Sequence, residues 1–172
     1  MKSIIRHSIT IALIATISLI GQAYGQTVAY TQQVVSQLDR AKAFARERGF
    51  QLTHDYHIDQ LPTREAGRIV LELQGGVTYT IVGACDNDCR DLDMVLVDEN
   101  GNIVSEDMQD DDLPVLTVTP RWTGKFMIGV RISMCRQSPC VYGLAVFGKE
   151  SARRPASQPW YRQNGIPTGP IG

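Results

Sequence analysis

Short runs of alternating apolar and polar residues fill the middle of this chain, the period-two pattern of strands half-buried against a core. Arg68 to Leu73 places Ile69, Leu71 and Leu73 on one face, and Val77 to Ala84 does the same with Val77, Tyr79 and Ile81. Gly75-Gly76 between them predicts two strands joined by a tight turn, a hairpin signature. A second hairpin is predicted where Met94 to Val97 stops at Asn100-Gly101 and Ile103-Val104 resumes, since Asn-Gly tolerates both positive φ angles of a type I′ turn. Val115 to Thr119, Lys125 to Ser133 and Val141 to Phe147 read as further strands, and Phe50 to Ile58, broken at Leu61-Pro62, as an edge strand at best. Strands with turn signals between them and no interleaved helices predict an all-β fold, an antiparallel β-sandwich of about seven to eight strands. Alternation turns Leu71, Leu73, Tyr79, Ile81, Met94, Leu96, Val115, Phe126, Ile128, Val130 and Leu144 inward, and leaves Arg68, Glu72, Thr78 and Arg131 outward or on loops.

The pattern changes in front of the strands. Val34, Val35, Leu38, Ala41, Phe44 and Ala45 recur at helical spacing, and Gly49 supplies a stop. One amphipathic helix is predicted within 26–49, with a narrow, alanine-rich stripe that packs on the domain edge or stays mobile until a partner is met. Earlier still, Lys2 and Arg6 precede an apolar stretch from Ile9 to Ile20 and the small-x-small sequence Ala23-Tyr24-Gly25. That is a secretory signal peptide over 1–25, too short for a comfortable membrane span. No cysteine stands directly after its apolar part, so a free chain, secreted or periplasmic and off the membrane after cleavage, is expected. The β-domain is expected over 50–148. From 149 to 172 the composition turns to Ser, Arg, Pro, Gln and Gly, which buries too little apolar surface to offset ordering, and disorder is predicted.

Charge sharpens this picture. The full chain carries 17 Lys and Arg against 18 Asp and Glu. Cleavage would remove Lys2 and Arg6 and no acid, leaving a net of about −3. The acid concentrates around the Asn-Gly hairpin, as Asp86, Asp88, Asp91, Asp93, Asp98, Glu99, Glu106, Asp107 and Asp110 to Asp112, with Arg90 the single base among them. Such a surface repels phosphate, which argues against nucleic acid as a partner. The length suits one domain, expected to be monomeric.

Four cysteines in an exported chain read as disulfides, and sequence alone allows three connectivities. Cys85 with Cys89 and Cys135 with Cys140 are favoured, since each pair brackets a turn-like segment. Neither pair has the two-residue gap of a zinc ribbon. Such short loops stabilise by less than the usual ~2 to 4 kcal/mol.

No catalytic constellation stands out. His54 and His57 in extended chain point to opposite sides and are expected as exposed polar residues on an edge rather than as zinc ligands or a base. No nucleophile elbow, His-Glu-x-x-His helix or phosphate loop is present. The hard oxygens of Asp86, Asp88, Asp91 and Asp93 make calcium the one cofactor to weigh, although the spacing is not that of an EF-hand. Against it stands the plainer reading that these carboxylates cap loop amides and pair with Arg90.

One longer string carries a family likeness: Leu73-x-x-Gly76-x-x-Tyr79-x-Ile81, then Cys85-Asp86-x-Asp88-Cys89-x-Asp91-Leu92-Asp93-Met94-x-Leu96-x-Asp98-x-x-Gly101, then Asp107 and Pro114-x-Leu116, then Pro120-x-x-x-Gly124-x-Phe126-x-Ile128-x-Val130. It resembles the bacterial pre-peptidase C-terminal type of β-sandwich over residues 67–147. The resemblance implies a secreted, jelly-roll-like module of the kind usually appended to extracellular proteases, some of which bind calcium or extracellular polymers. Here the module follows one helix. The expected function is non-enzymatic: binding of an extracellular or envelope protein or polysaccharide. An envelope structural protein without a dedicated ligand, and a hydrolase with an unrecognised site, are the alternatives.

Overall fold

Alternating apolar side chains need a second layer to cover them, and in the computed structural model that layer is another sheet. The structure describes residues 28–149 and the two-residue strand Tyr161–Arg162. The predicted leader at 1–25 lies outside the described residues. So does most of 149–172, of which Lys149 still belongs to the last long strand and Tyr161–Arg162 pairs with a strand edge.

A helix, α1, covers 28–47. The strands follow as β1 (Gln51–Leu52), β2 (His57–Leu61), β3 (Ala66–Leu73), β4 (Thr78–Cys85), β5 (Cys89–Val97), β6 (Ile103–Asp107), β7 (Val115–Val118), β8 (Gly124–Cys135), β9 (Cys140–Lys149) and β10 (Tyr161–Arg162). They form two antiparallel sheets, ordered β1-β9-β4-β7 with β2 also on β9, and β10-β3-β8-β5-β6. The first is roofed by α1 and the second is open. This is the predicted all-β sandwich behind one helix.

The core lies between the sheets. Leu71, Leu73, Tyr79, Ile81, Met94, Leu96, Phe126, Ile128, Val130 and Leu144 are all buried there, as the alternation requires. Fully burying such a side chain contributes roughly 1.5 to 3 kcal/mol. Val115 breaks the expectation, being 46% exposed while Leu116 is buried. Cross-strand partners share a face, and Leu116 pairs with inward Ile81 whereas Val115 pairs with Val82 on the outer face.

Both predicted turns need correction. β3 and β4 lie in different sheets, so Gly75-Gly76 makes an arch between layers and not a hairpin. The arch packs on the loop before β8: the Gly76 amide donates to Pro120 O at 2.7 Å, and a Cβ on Gly75 would sit 2.9 Å from the Trp122 backbone. β5 and β6 do form the second hairpin, with a register shift beside Val97. Its turn has one positive φ, 86° at Gly101, and the Gly101 amide donates to Asp98 O. That is a three-residue loop closed by a left-handed glycine, not a type I′ turn.

The two disulfides join Cys85 to Cys89 and Cys135 to Cys140. Cys85 ends β4 in the roofed sheet and Cys89 opens β5 in the open one, while Cys135 ends β8 and Cys140 opens β9. Each bridge therefore staples the two sheets where the chain crosses. Cys89 pairs with Cys135 across β5 and β8, so both staples sit at one end of the sandwich.

Candidate functional site

The helix takes the packed alternative. Val34, Leu38 and Ala45 are buried against Ala84, Val141, Ala145 and Phe147 on the outer face of the roofed sheet. Gly143 allows this approach, since a Cβ there would meet Ile58 Cδ1 at 2.6 Å, Val34 Cγ1 at 2.7 Å and Leu38 Cδ1 at 3.0 Å. Three polar contacts fix the N-terminal half of the helix on the Cys85–Cys89 loop. Tyr30 OH donates to Asp88 Oδ2 at 2.6 Å, the Asn87 amide to Gln33 Oε1 at 2.9 Å, and Gln37 Nε2 to Cys85 O at 2.8 Å. Tyr30, Gln33 and Gln37 follow one another along one side of the helix, so a loop held by a disulfide aims α1 along the sheet.

The roof is narrower than the sheet. Beside the C-terminal half of α1 lies an apolar groove of ≈ 460 Å³. Its wall is Ala41, Phe44 and Ala45, and its floor includes Thr80, Val82 and Phe147, with Leu113 and Val115 opposite the helix. Phe44, Leu113 and Val115 are 57%, 49% and 46% exposed, although each is apolar and they line one depression. Arg40 and Arg48 stand in the wall, and the Arg48 guanidinium lies 3.2 Å from the Phe44 ring centroid. Lys149 Nζ adds a third cation, 5.8 Å over Phe50. Among the described residues the lining holds two arginines and no carboxylate, a basic edge on an otherwise acidic molecule. A depression this apolar with few polar groups has the character of a ligand site.

The carboxylates expected to converge on calcium do not do so. Asp86 is buried, its Oδ1 accepting the amides of Asp88 and Cys89 and its Oδ2 the amide of Val141. Asp88 faces the other way, towards Tyr30. Asp93 accepts the Ser133 hydroxyl. Burial first, then the charges of Asp93, Asp110 and Asp111, raises the Asp91 carboxyl, and Arg131 opposes them. No three His, Cys, Asp or Glu side chains group so as to hold a metal ion among the described residues. The reason is local: Asp86 accepts loop amides, Asp88 the Tyr30 hydroxyl and Asp93 the Ser133 hydroxyl, on different sides of the chain, while Asp91 Oδ1 is buried without a hydrogen-bond partner among the described residues. Asp98 is likewise spent inside its own turn, accepting from the amides of Asn100 and Asn102 and from Asn102 Nδ2.

His54 and His57 are 2% and 4% exposed, not the surface residues expected. His57 lies on β2 opposite Leu144 and near the Tyr142 ring, and His54 Nδ1 is 3.0 Å from Thr53 Oγ1. β2 pairs along the whole start of β9, which turns His57 inward beside Leu144 and Tyr142 of the core between the sheets and Ile58 outward under α1. Burial pushes the His54 imidazole down to about 4, against a smaller upward pull from the Glu72 backbone and Asp55.

No helix among the described residues is long and apolar enough to cross a membrane. No family model and no curated protein matches the chain. Among solved structures it is similar to PliG of Aeromonas hydrophila, a periplasmic lysozyme inhibitor of g-type lysozyme, at 13% identity and a TM-score of 0.43, covering 56% of this chain and 87% of that one. It is similar to the Yersinia pseudotuberculosis-derived mitogen at 12% identity and a TM-score of 0.42, over 60% and 91%. The pre-peptidase C-terminal domain of collagenase from Bacillus anthracis follows at 13% identity and a TM-score of 0.39, over 54% and 88%.

Proposed function

We propose that this chain is a secreted or periplasmic, non-catalytic module that binds another protein in the groove between α1 and β7. The observation that carries the reading is the half-roofed sheet: Phe44, Leu113 and Val115 are left in water around an apolar floor, where a monomer without a ligand gains by covering them. A protein suits this lining better than a polysaccharide, whose many hydroxyls need donors and acceptors that the groove has in few places. Its polar members are Gln37, Arg40, Arg48 and Thr80, which supports positioning over chemistry. The two inter-sheet disulfides fit an oxidising compartment, and the string that resembles pre-peptidase C-terminal domains supports the same role.

Capture from an envelope or culture extract tests it, using the wild-type chain, Val115→Asn in the groove and Ile103→Asn on the exposed edge of the open sheet. Both positions are exposed, so both variants should melt with the wild type. The expected result is a retained protein that Val115→Asn loses and Ile103→Asn keeps. Equal retention by all three chains, or none by any, would overturn the reading.

A further inference from the structure

Resting on the groove as the binding site, we propose that its occupant is an amphipathic helix of the partner, laid beside α1 over β4 and β7, with carboxylates on the edge that faces Arg40 and Arg48. The first argument is width. Neighbouring strands lie about 4.7 to 4.9 Å apart and packed helices about 8 to 10 Å, so one helix roofs roughly two strands. α1 covers β9 and the strands beside it, through Val34, Leu38 and Ala45 against Ala145, Phe147, Ile58 and Leu52. What stays uncovered is β7 and the first half of β4, with half-buried Thr80 and Val82 and exposed Val115, the width of one more helix, while Ala84 further along β4 lies under α1.

The second argument is the wall. Ala41 and Ala45 are small enough for a neighbouring helix to come close, and Phe44 stands between them as a knob. The third is charge. Arg40 and Arg48 are eight positions apart on a helix, a rise of about 12 Å. A second helix running alongside meets both with carboxylates seven or eight positions apart, whereas an extended segment would need them about four apart. Among the described residues the lining holds no carboxylate; Arg48 lies on the Phe44 ring and its Nη1 donates to Phe44 O at 3.2 Å, so Arg40 and the remaining N–H groups of Arg48 are what a partner's carboxylates would meet.

The probe is a pair of fluorescein-labelled helical peptides of about 18 residues, or five turns. They share one leucine stripe and carry either Glu or Lys at two edge positions seven apart, and binding is read by anisotropy at low salt. The Glu peptide should bind about tenfold more tightly than the Lys peptide. Arg40→Glu with Arg48→Glu should invert that preference, added salt should shrink it, and Val115→Asn should weaken both peptides together. Equal affinity for the two, no binding of either, or tighter binding of an extended alternating peptide or of dodecanoate overturns the helix. If Val115→Asn still abolishes capture from extract, the groove reading survives that failure. Binding and capture both indifferent to Val115→Asn would end the groove reading as well.

Discussion

β8 and β9 are the two longest strands, one central to each sheet, and they are buried in different ways. Along β8 the buried positions Phe126, Ile128, Val130 and Ile132 alternate with positions that reach water. Along β9 every residue from Cys140 to Gly148 is buried. The difference is α1, which covers the outer face of β9 and leaves that of β8 open. Alternation thus marks a sheet face that meets water, and an uninterrupted apolar run marks a strand with a layer on each side. The groove lies where the second condition stops and the first has not begun.

Removing a side chain from the roofed outer face should give the largest effect. Phe147→Ala is expected to cost about 3 to 5 kcal/mol, because Phe147 is fully buried under the helix. Met127→Ala, outward on β8, should stay within about 1 kcal/mol. Denaturant midpoints of the two variants measure the contrast, and equal costs would mean that α1 is not a true second layer.

Acid should reach the roofed sheet first. The folded-state pKa of His54 lies at about 4, below its ordinary 6.5, so the neutral ring is the form the fold prefers. Its contribution is present above pH ~6.5 and is lost as pH falls towards 4, because the unfolded chain then binds the proton more readily; the integral is about 3 kcal/mol. His54→Gln should flatten the stability profile in that window. Asp98, on the open sheet, behaves differently: the Asn102 side chain and the amides of Asn102 and Asn100 hold its carboxyl below the usual range. Its contribution is lost only as the pH drops through that lowered value, and Asp98→Asn should remove this later phase.

Glycines sharpen the comparison at smaller scale. Gly143→Ala places a methyl group against three side chains of β2 and α1 and should cost about 1 to 3 kcal/mol. Gly129→Ala meets Val95 Cγ1 at 2.8 Å, but that side chain lies on the half-open face and can turn aside. Its cost should stay within about 1 kcal/mol, since alanine also relieves the strand of a glycine. The smallest effect expected is that of calcium. With Asp86 and Asp88 committed in different directions, melting curves in excess chelator and in about 10 mM calcium should superimpose. A rise with calcium would show that the loop rearranges to gather its carboxylates.

Strand positions and the inner core were legible in the sequence because alternation encodes a face directly. The sheet to which a strand belongs was not. Gly75-Gly76 turns the chain tightly whether the next strand lies beside the last or across from it, and the inward residues are the same in both cases. The same gap hid the groove, whose walls come from α1, β4, β7 and β9. One signal in the sequence pointed to it, Phe44 on the shoulder of the helical stripe; that Val115 stands opposite Val82 on the outer face follows only from the strand pairing, and alternation alone turned Val115 inward. His54 and His57 were misplaced because a short, Pro-terminated segment looks like an exposed edge until β9 and the core claim it.

Amide mapping by NMR tests the central claim most directly, with the labelled chain titrated against the Glu-edged helical peptide. Shift changes should gather at Ala41, Phe44, Val82, Leu113 and Val115, on both walls of the groove, and leave Ile103 and Met134 of the open sheet where they were. Changes confined to the open sheet or to the Asp98–Asn102 turn, with the groove silent at saturating peptide, would contradict the account.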